Sequence, residues 1–268
     1  MREIIISSIS QYIDYINEIK NEGFIFYRGQ DSHIEHKLLP SLLRERVDET
    51  TGNKTRVYGN RVDKQFMNSF KSRAVACLNF VPQNDWEWMS TAQHYGLPTR
   101  MLDWTQSALS ALFFAVENEE FEYTADGDGP VIWALNPIEL NEKVRFVDDY
   151  NVIPNIIENN VSLQRGLSEK YGIGVDNNET TYPIALVCPT SNGRINAQKG
   201  TFTLFSLNSK PLENMDNIDK ILCKIVIEKD NKREIKKQLF EIGITYSNIY
   251  PDLEYVCKDI KFEYEKNN

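Results

Sequence analysis

The chain has 268 residues, 41% hydrophobic and 26% charged, a balance that excludes a disordered or fibrous protein. Its 30 basic and 39 acidic side chains give a net charge of −9 with histidine neutral, which argues against a broad basic face for duplex nucleic acid but allows one local groove. No apolar run approaches the ~20 residues of a membrane span, and Ile4-Ile5-Ile6 is too brief for a signal peptide; the expected location is cytoplasmic, with no membrane partner.

In chain order, Ile9, Tyr12, Ile13, Ile16 and Ile19 mark one face of a helix over 8–21, ended by Gly23. Phe24-Ile25-Phe26-Tyr27 reads as a buried strand running into Arg28-Gly29-Gln30. His33 and His36 lie i, i+3 beside Asp31 and Glu35 with no cysteine nearby, and no metal site is assigned there. Val62, Phe66, Phe70, Ala74 and Leu78 stripe a long helix over 57–79, stopped by Pro82. Asp85 is the expected N-cap of a helix over 86–95, with Gly96 as its left-handed terminator. A loop then leads to a helix over 105–118, with Leu109, Leu112, Phe113 and Val116 inward. Residues 126–130 form a turn before a buried strand at 131–135. The polar stretch 141–180 has weak periodicity and reads as an insertion or flap. Strands follow at 182–188, 201–207 and 222–228, then a helix over 231–242 and a last one after Pro251-Asp252. Strands and helices mix without regular alternation, so the expected fold is α+β: one domain over 1–268, a short, mostly antiparallel sheet packed by several helices. Four cysteines at 77, 188, 223 and 257 sit among apolar residues and read as buried reduced thiols, Trp86 and Trp88 as packing groups, and the basic run 232–237 as a solvated helix face.

Three segments carry chemistry beyond these needs. Gln93 to Thr105 is crowded with His94, Tyr95, Thr99, Arg100, Asp103 and Trp104, although it joins two apolar helices. Asp103 either caps the following helix or pairs with Arg100. Arg28, at the end of a buried strand, needs an internal partner or a cleft, because a lone buried charge is costly. Gly29 allows close approach of a ligand or of another chain segment. In the third segment, Asn192 to Phe202, Gln198 either faces a cleft or caps a turn.

Together these segments resemble the FRG-domain family. The name motif is Phe26-Tyr27-Arg28-Gly29, with a tyrosine displacing its first position. The segment Gln93-His94-Tyr95-Gly96-Leu97-Pro98-Thr99-Arg100-Met101-Leu102-Asp103-Trp104-Thr105 fits the long family motif. So do the helix Ala108 to Ala115, Arg194 with Ala197-Gln198 and Gly200-Thr201-Phe202, and Tyr250-Pro251-Asp252-Leu253, so the resemblance runs over about 24–260. The motif order is similar to that of ADP-ribosyltransferase folds, in which a first-strand Arg-Gly holds NAD, a Ser-Thr-Ser segment and an alanine-rich helix follow, and a late glutamate completes the site. Gln198 stands where that glutamate would be.

This resemblance implies an ADP-ribosyltransferase-like fold and an NAD-dependent transferase. It implies an effector of the toxin or phage-defence kind, acting on nucleic acid or protein and held by a neutralising antitoxin. Arg28 would pair with a phosphate of NAD, backed by Gly29 and Arg100, and Trp104 or Tyr95 would stack on nicotinamide or adenine. Thr99 and Thr105 would donate to ribose or phosphate, and Gln198 would hold a ribose hydroxyl or the acceptor. Asp103 would supply the missing carboxylate, and His94 would act as general base. The same residues fit two other readings: a non-catalytic nucleotide or nucleic-acid binding module, and a metal-independent nuclease or other hydrolase using His94 and Asp103.

Overall fold

The computed structural model describes residues 1–48, 50, 52–58, 62–78, 80–123, 125–144, 152–157, 160–175, 182–187 and 193–266. The chain opens with β1 (Arg2–Ile6), α1 (Ile9–Lys20) and β2 (Phe26–Gln30), then a small ribbon of β3 (Glu45–Val47) and β4 (Lys54–Arg56). Next come α2 (Val62–Ala74), α3 (Asp85–His94), β5 (Met101–Thr105), α4 (Ala108–Val116) and β6 (Val131–Leu135). After them lie α5 (Pro137–Asn141), α6 (Val161–Tyr171), β7 (Ile184–Leu186), α7 (Gly193–Ala197) and β8 (Gly200–Leu204). The chain closes with β9 (Leu222–Ile227), α8 (Lys232–Glu241), α9 (Tyr246–Ile249) and α10 (Leu253–Lys266).

One seven-stranded sheet in the order β1-β9-β6-β2-β5-β8-β7 organises the molecule. Among the described residues the β1–β9 strand pair is parallel and the other strand pairs of this sheet are antiparallel, as expected for this α+β chain. The strand β6 is buried at all five positions, because Ile132 and Ala134 face one layer while Val131, Trp133 and Leu135 face the other. Each large apolar side chain buried this way contributes roughly 1.5–3 kcal/mol. On one face, α1, α4 and α8 pack Tyr12, Phe113 and Leu239 over the β9-β6-β2 half. On the β5-β8-β7 half, Met67, Met89, Leu167 and Tyr171 from α2, α3 and α6 form a separate cluster.

The sheet is split in the middle. The strands β2 and β5 share a single registered pair, Tyr27 with Thr105, whereas β2 pairs with β6 over five positions. Past that pair the two strands diverge, and the two halves of the molecule meet across the opening. Gly29 belongs to this junction: a Cβ there would lie 1.9 Å from the Ala111 carbonyl oxygen, so its missing side chain lets α4 lie directly on β2.

Several expectations are revised. The segment 101–105 is a strand, not a loop and helix start, and α4 is capped by Ser107, which accepts from the Ser110 amide. Asp103 therefore caps nothing. The cap of α3 is Asn84, one residue before Asp85, while Gly96 does take a left-handed φ of 84°. The long helix over 57–79 contracts to α2, with Leu78 extended beyond it. Ile4-Ile5-Ile6, too brief for a signal peptide, is most of an edge strand. Within 141–180 the described residues include α6, whose Leu163, Leu167 and Tyr171 are core groups, so this part is no flap; 145–151, 158, 159 and 176–180 lie outside the described residues, as do Cys188 and Asn192. Cys223 is buried, but Cys77 and Cys257 are exposed, since each falls on the outer side of its element. The basic run on α8 is only partly a solvated face: Lys232 and Lys236 are buried, paired with Asp31 and Glu119. Trp86 and Trp88 are buried, as expected of packing groups.

Candidate functional site

The opening between β2 and β5 is a cleft of about 410 Å³. Its lining includes Arg28, His94, Asp103 and Gln198, four residues from stretches remote in sequence, together with Gly29, Trp104 and Thr105. The topology explains the meeting: β2, β5 and β8 are neighbours in the sheet, α3 ends at His94 beside β5, and Gln198 lies between α7 and β8.

Arg28 shares the face of β2 that carries Phe26 and Gln30. Gln30 is spoken for, since its Oε1 accepts from Trp133 Nε1 at 2.8 Å. Arg28 reaches across the split and donates from Nη1 to the Asp103 backbone carbonyl at 2.7 Å. Its Nε is buried and has no hydrogen-bond partner among the described residues. Burial pulls the Arg28 pKa down; Asp103 opposes that shift and Arg44, a second arginine in the cleft, adds to it. Two guanidinium groups thus interact unfavourably in the cleft of an acidic protein. A third, Arg194, lines the same cleft and lies 4.8 Å from the Tyr250 ring centroid. An anion with several oxygens fits between such forks.

Asp103 is exposed, and its Oδ2 accepts from Gln93 Nε2 at 2.9 Å. Gln93 is a residue whose role sequence reasoning missed. Its Oε1 accepts from Thr99 Oγ1 at 2.5 Å, so one amide braces α3, the turn and the Asp103 carboxylate together. The signal was present in the long motif, which begins at Gln93. His94 is half-buried; burial and Arg194 lower its pKa, with Asp252 and Asp103 opposing, so its surroundings favour the neutral ring.

Other expected ligand groups are otherwise engaged. Arg100 is almost wholly buried and points away from the cleft. Its Nη2 donates to the Tyr171 carbonyl at 2.7 Å and to that of Gly172, and its Nε lies 3.5 Å from Asp63. It pairs with Asp63 rather than Asp103 and ties β5 to the end of α6. Thr99 is buried and outside the lining, held by Gln93 and by the Met101 amide. Tyr95 is exposed and likewise outside it, its ring edge-on to His94. Gly29 meets α4 rather than a ligand. Trp104 is 3% exposed and its indole N–H donates to Thr203 Oγ1, so it is a core group and no stacking platform. The Thr105 hydroxyl donates to the Gln198 carbonyl and accepts from the Ser107 amide. The Gln198 side chain donates from Nε2 to the Ile249 carbonyl at 3.2 Å.

A third carboxylate was not expected. Glu117 follows the last turn of α4 and lines the cleft with Phe114. The Tyr250 hydroxyl lies 3.0 and 3.1 Å from its two carboxylate oxygens. Burial pushes the Glu117 pKa up to about 7, against the lowering effect of Tyr250. A polar residue closing an apolar helix gave no signal beyond an ordinary helix end. Asp31, also in the lining, is ion-paired with Lys232 at 3.3 Å. Among the described residues, no group of three or more His, Cys, Asp or Glu side chains is placed to hold a metal ion. His36 packs edge-on against Phe121, and His33 faces the Gly129 carbonyl.

No curated protein and no solved structure matches the chain. A match to a family model covers β2, the long motif and the whole of α4, and ends before Gln198. The model is that of the FRG domain, and the match spans residues 24–123.

Proposed function

We propose that the cleft binds a dinucleotide through its diphosphate and that the protein is an NAD-dependent ADP-ribosyltransferase. The single observation behind this is Arg28: a guanidinium with a buried, unpartnered Nε, next to a second arginine, at the split of the sheet. A doubly charged diphosphate offers the acceptors that the protein itself withholds. The order of parts supports the same reading. The Arg-Gly strand, the segment ending in Thr105, the alanine-rich α4, the apolar β6 and the late Gln198 follow the order of the transferase resemblance, and four of them lie on or beside the consecutive strands β6-β2-β5-β8. Asp103 supplies the negative charge beside the ribose that Gln198 lacks, held in place by Gln93. The product is an ADP-ribosylated nucleic acid or protein, in keeping with an effector role in the cytoplasm that a neutralising partner would restrain.

The test is incubation of the protein with NAD labelled in its ADP-ribose part and with cell lysate. Label transfer and nicotinamide release should both exceed an Arg28→Ala control. Equality with that control rejects the reading.

One observation favours a second reading, a non-catalytic nucleotide-binding module. The Gln198 amide is committed to the Ile249 carbonyl and carries no charge. That reading predicts saturable calorimetric binding of ADP-ribose, lost in Arg28→Ala, with no nicotinamide release.

A further inference from the structure

Among the described residues three carboxylates line the cleft, and their surroundings differ. Asp31 has Lys232 as its ion pair, and Asp103 is exposed and held by Gln93. Glu117 is half-buried and its side chain makes no ion pair among the described residues; its side-chain partner is the hydroxyl of Tyr250. It follows α4 and lines the same cleft as Asp103, Phe114 and Arg194, and the Arg194 charge acts on it.

We propose that Glu117 is the proton acceptor of the cleft, the carboxylate that activates the group receiving ADP-ribose. This rests on the transferase reading. The C–N bond between ribose and nicotinamide breaks, and its electron pair leaves with nicotinamide. A lone pair on the acceptor O–H or N–H forms the new bond to the ribose carbon. The acceptor's proton passes to a Glu117 oxygen, and from there to water after product release. The acceptor thus enters from the Arg194 and Glu117 side, and the diphosphate lies at Arg28.

Two carboxylates of the cleft thus share the labour, Asp103 beside the developing ribose cation and Glu117 beside the acceptor. Paired acids whose surroundings set them apart in this way commonly divide such roles. The groups that face Glu117 set its titration. Asp31, following β2, holds the proton on, whereas Tyr250 after α9, Lys236 of α8 and Arg194 of α7 favour its loss. A base that ionises near neutrality suits a cytoplasmic transferase.

The experiment measures label transfer against pH in the full chain, together with NAD binding by calorimetry. In the wild type the rate should climb through about pH 7 and then level. Glu117→Gln should retain NAD binding, lose that climb and transfer ~10²-fold more slowly. Tyr250→Phe removes a hydrogen bond to the ionised form, so its climb should move to higher pH while activity persists. That second variant guards against a folding defect in the first. A wild-type climb that survives in Glu117→Gln, or one that vanishes instead in His94→Gln, overturns the proposal and leaves the transferase reading standing. A wild type that binds NAD but never releases nicotinamide overturns both.

Discussion

Gly29 offers a quantitative test of how this cleft is built. In Gly29→Ala the new methyl would meet the Ala111 carbonyl oxygen at 1.9 Å and the Ala115 amide nitrogen at 2.6 Å, against 3.4 Å for ordinary contact. Both obstacles are backbone, so no rotamer change relieves them. The helix α4 and the strand β2 must separate by about 1.5 Å at this point, although they pack closely along the Ala111–Ala115 turn. Overpacking of a core by one carbon costs ~1–3 kcal/mol, and a backbone clash belongs at the upper end. Restriction of the unfolded chain returns ~0.4–1 kcal/mol. The net expectation is a loss of about 2 kcal/mol. For a chain of this size that lowers the melting temperature by roughly 3–4 °C. Urea denaturation of the variant beside the wild type measures it, and the midpoint should fall with the slope unchanged. A variant with wild-type stability that has lost only nucleotide binding would refute the packing argument and return Gly29 to the ligand.

Three further outcomes follow from the same contacts. Arg100→Met should lower stability by ~3–5 kcal/mol, because Asp63 keeps a charge that has lost its partner and the Tyr171 and Gly172 carbonyls lose their donor; a stable variant defective only in nucleotide affinity contradicts its structural role. Gln198→Glu, which restores the residue type of the transferase pattern, should weaken the protein by ~1–3 kcal/mol rather than activate it, because the donor to the Ile249 carbonyl becomes an anion facing that oxygen; a rise in nicotinamide release would show that the side chain swings into the cleft. Glu117 holds its proton more tightly folded than unfolded, so its contribution is complete below its ordinary value of 4.5 and fades as pH rises through about 7. The stability of the wild type should therefore drop by up to ~3 kcal/mol relative to Glu117→Gln over that window, and parallel pH curves for the two proteins count against a raised Glu117.

Local pattern carried far in this chain. The spacing of Ile9, Tyr12, Ile16 and Ile19 and the left-handed Gly96 were legible because a helix face and its terminator are decided within a few residues. The strand at 131–135 could be read in the same way, since five apolar residues after a turn leave few alternatives. The segment 101–105 could not. Met101-Leu102-Asp103-Trp104-Thr105 has mixed polarity because its two faces meet different surroundings, a core on one side and a cleft with Asp103 on the other. That contrast exists only after β8 has paired along it and β2 has splayed away.

For the site, the residue types of the long motif and of Arg28 suggested one shared pocket, because clustered polar groups between apolar elements need a common solvent or ligand; Arg28, His94, Asp103 and Gln198 line one cleft, whereas Tyr95, Thr99 and Arg100 do not. Their individual tasks were not readable. Arg100 and Asp103 stand three apart, yet alternation along a strand and its approach sent one guanidinium into the interior and left the carboxylate at the cleft. Gly29 and Thr99 were drawn into packing and bracing by partners distant in sequence. By itself the sequence determined an α+β chain with an arginine strand and a polar segment needing a shared pocket, since those demands arise from local burial and composition. The tertiary structure alone decided that the sheet would split at β2 and β5, that Glu117 would join the lining of the cleft, and which donors would be left unpaired, because each depends on the direction in which remote strands approach.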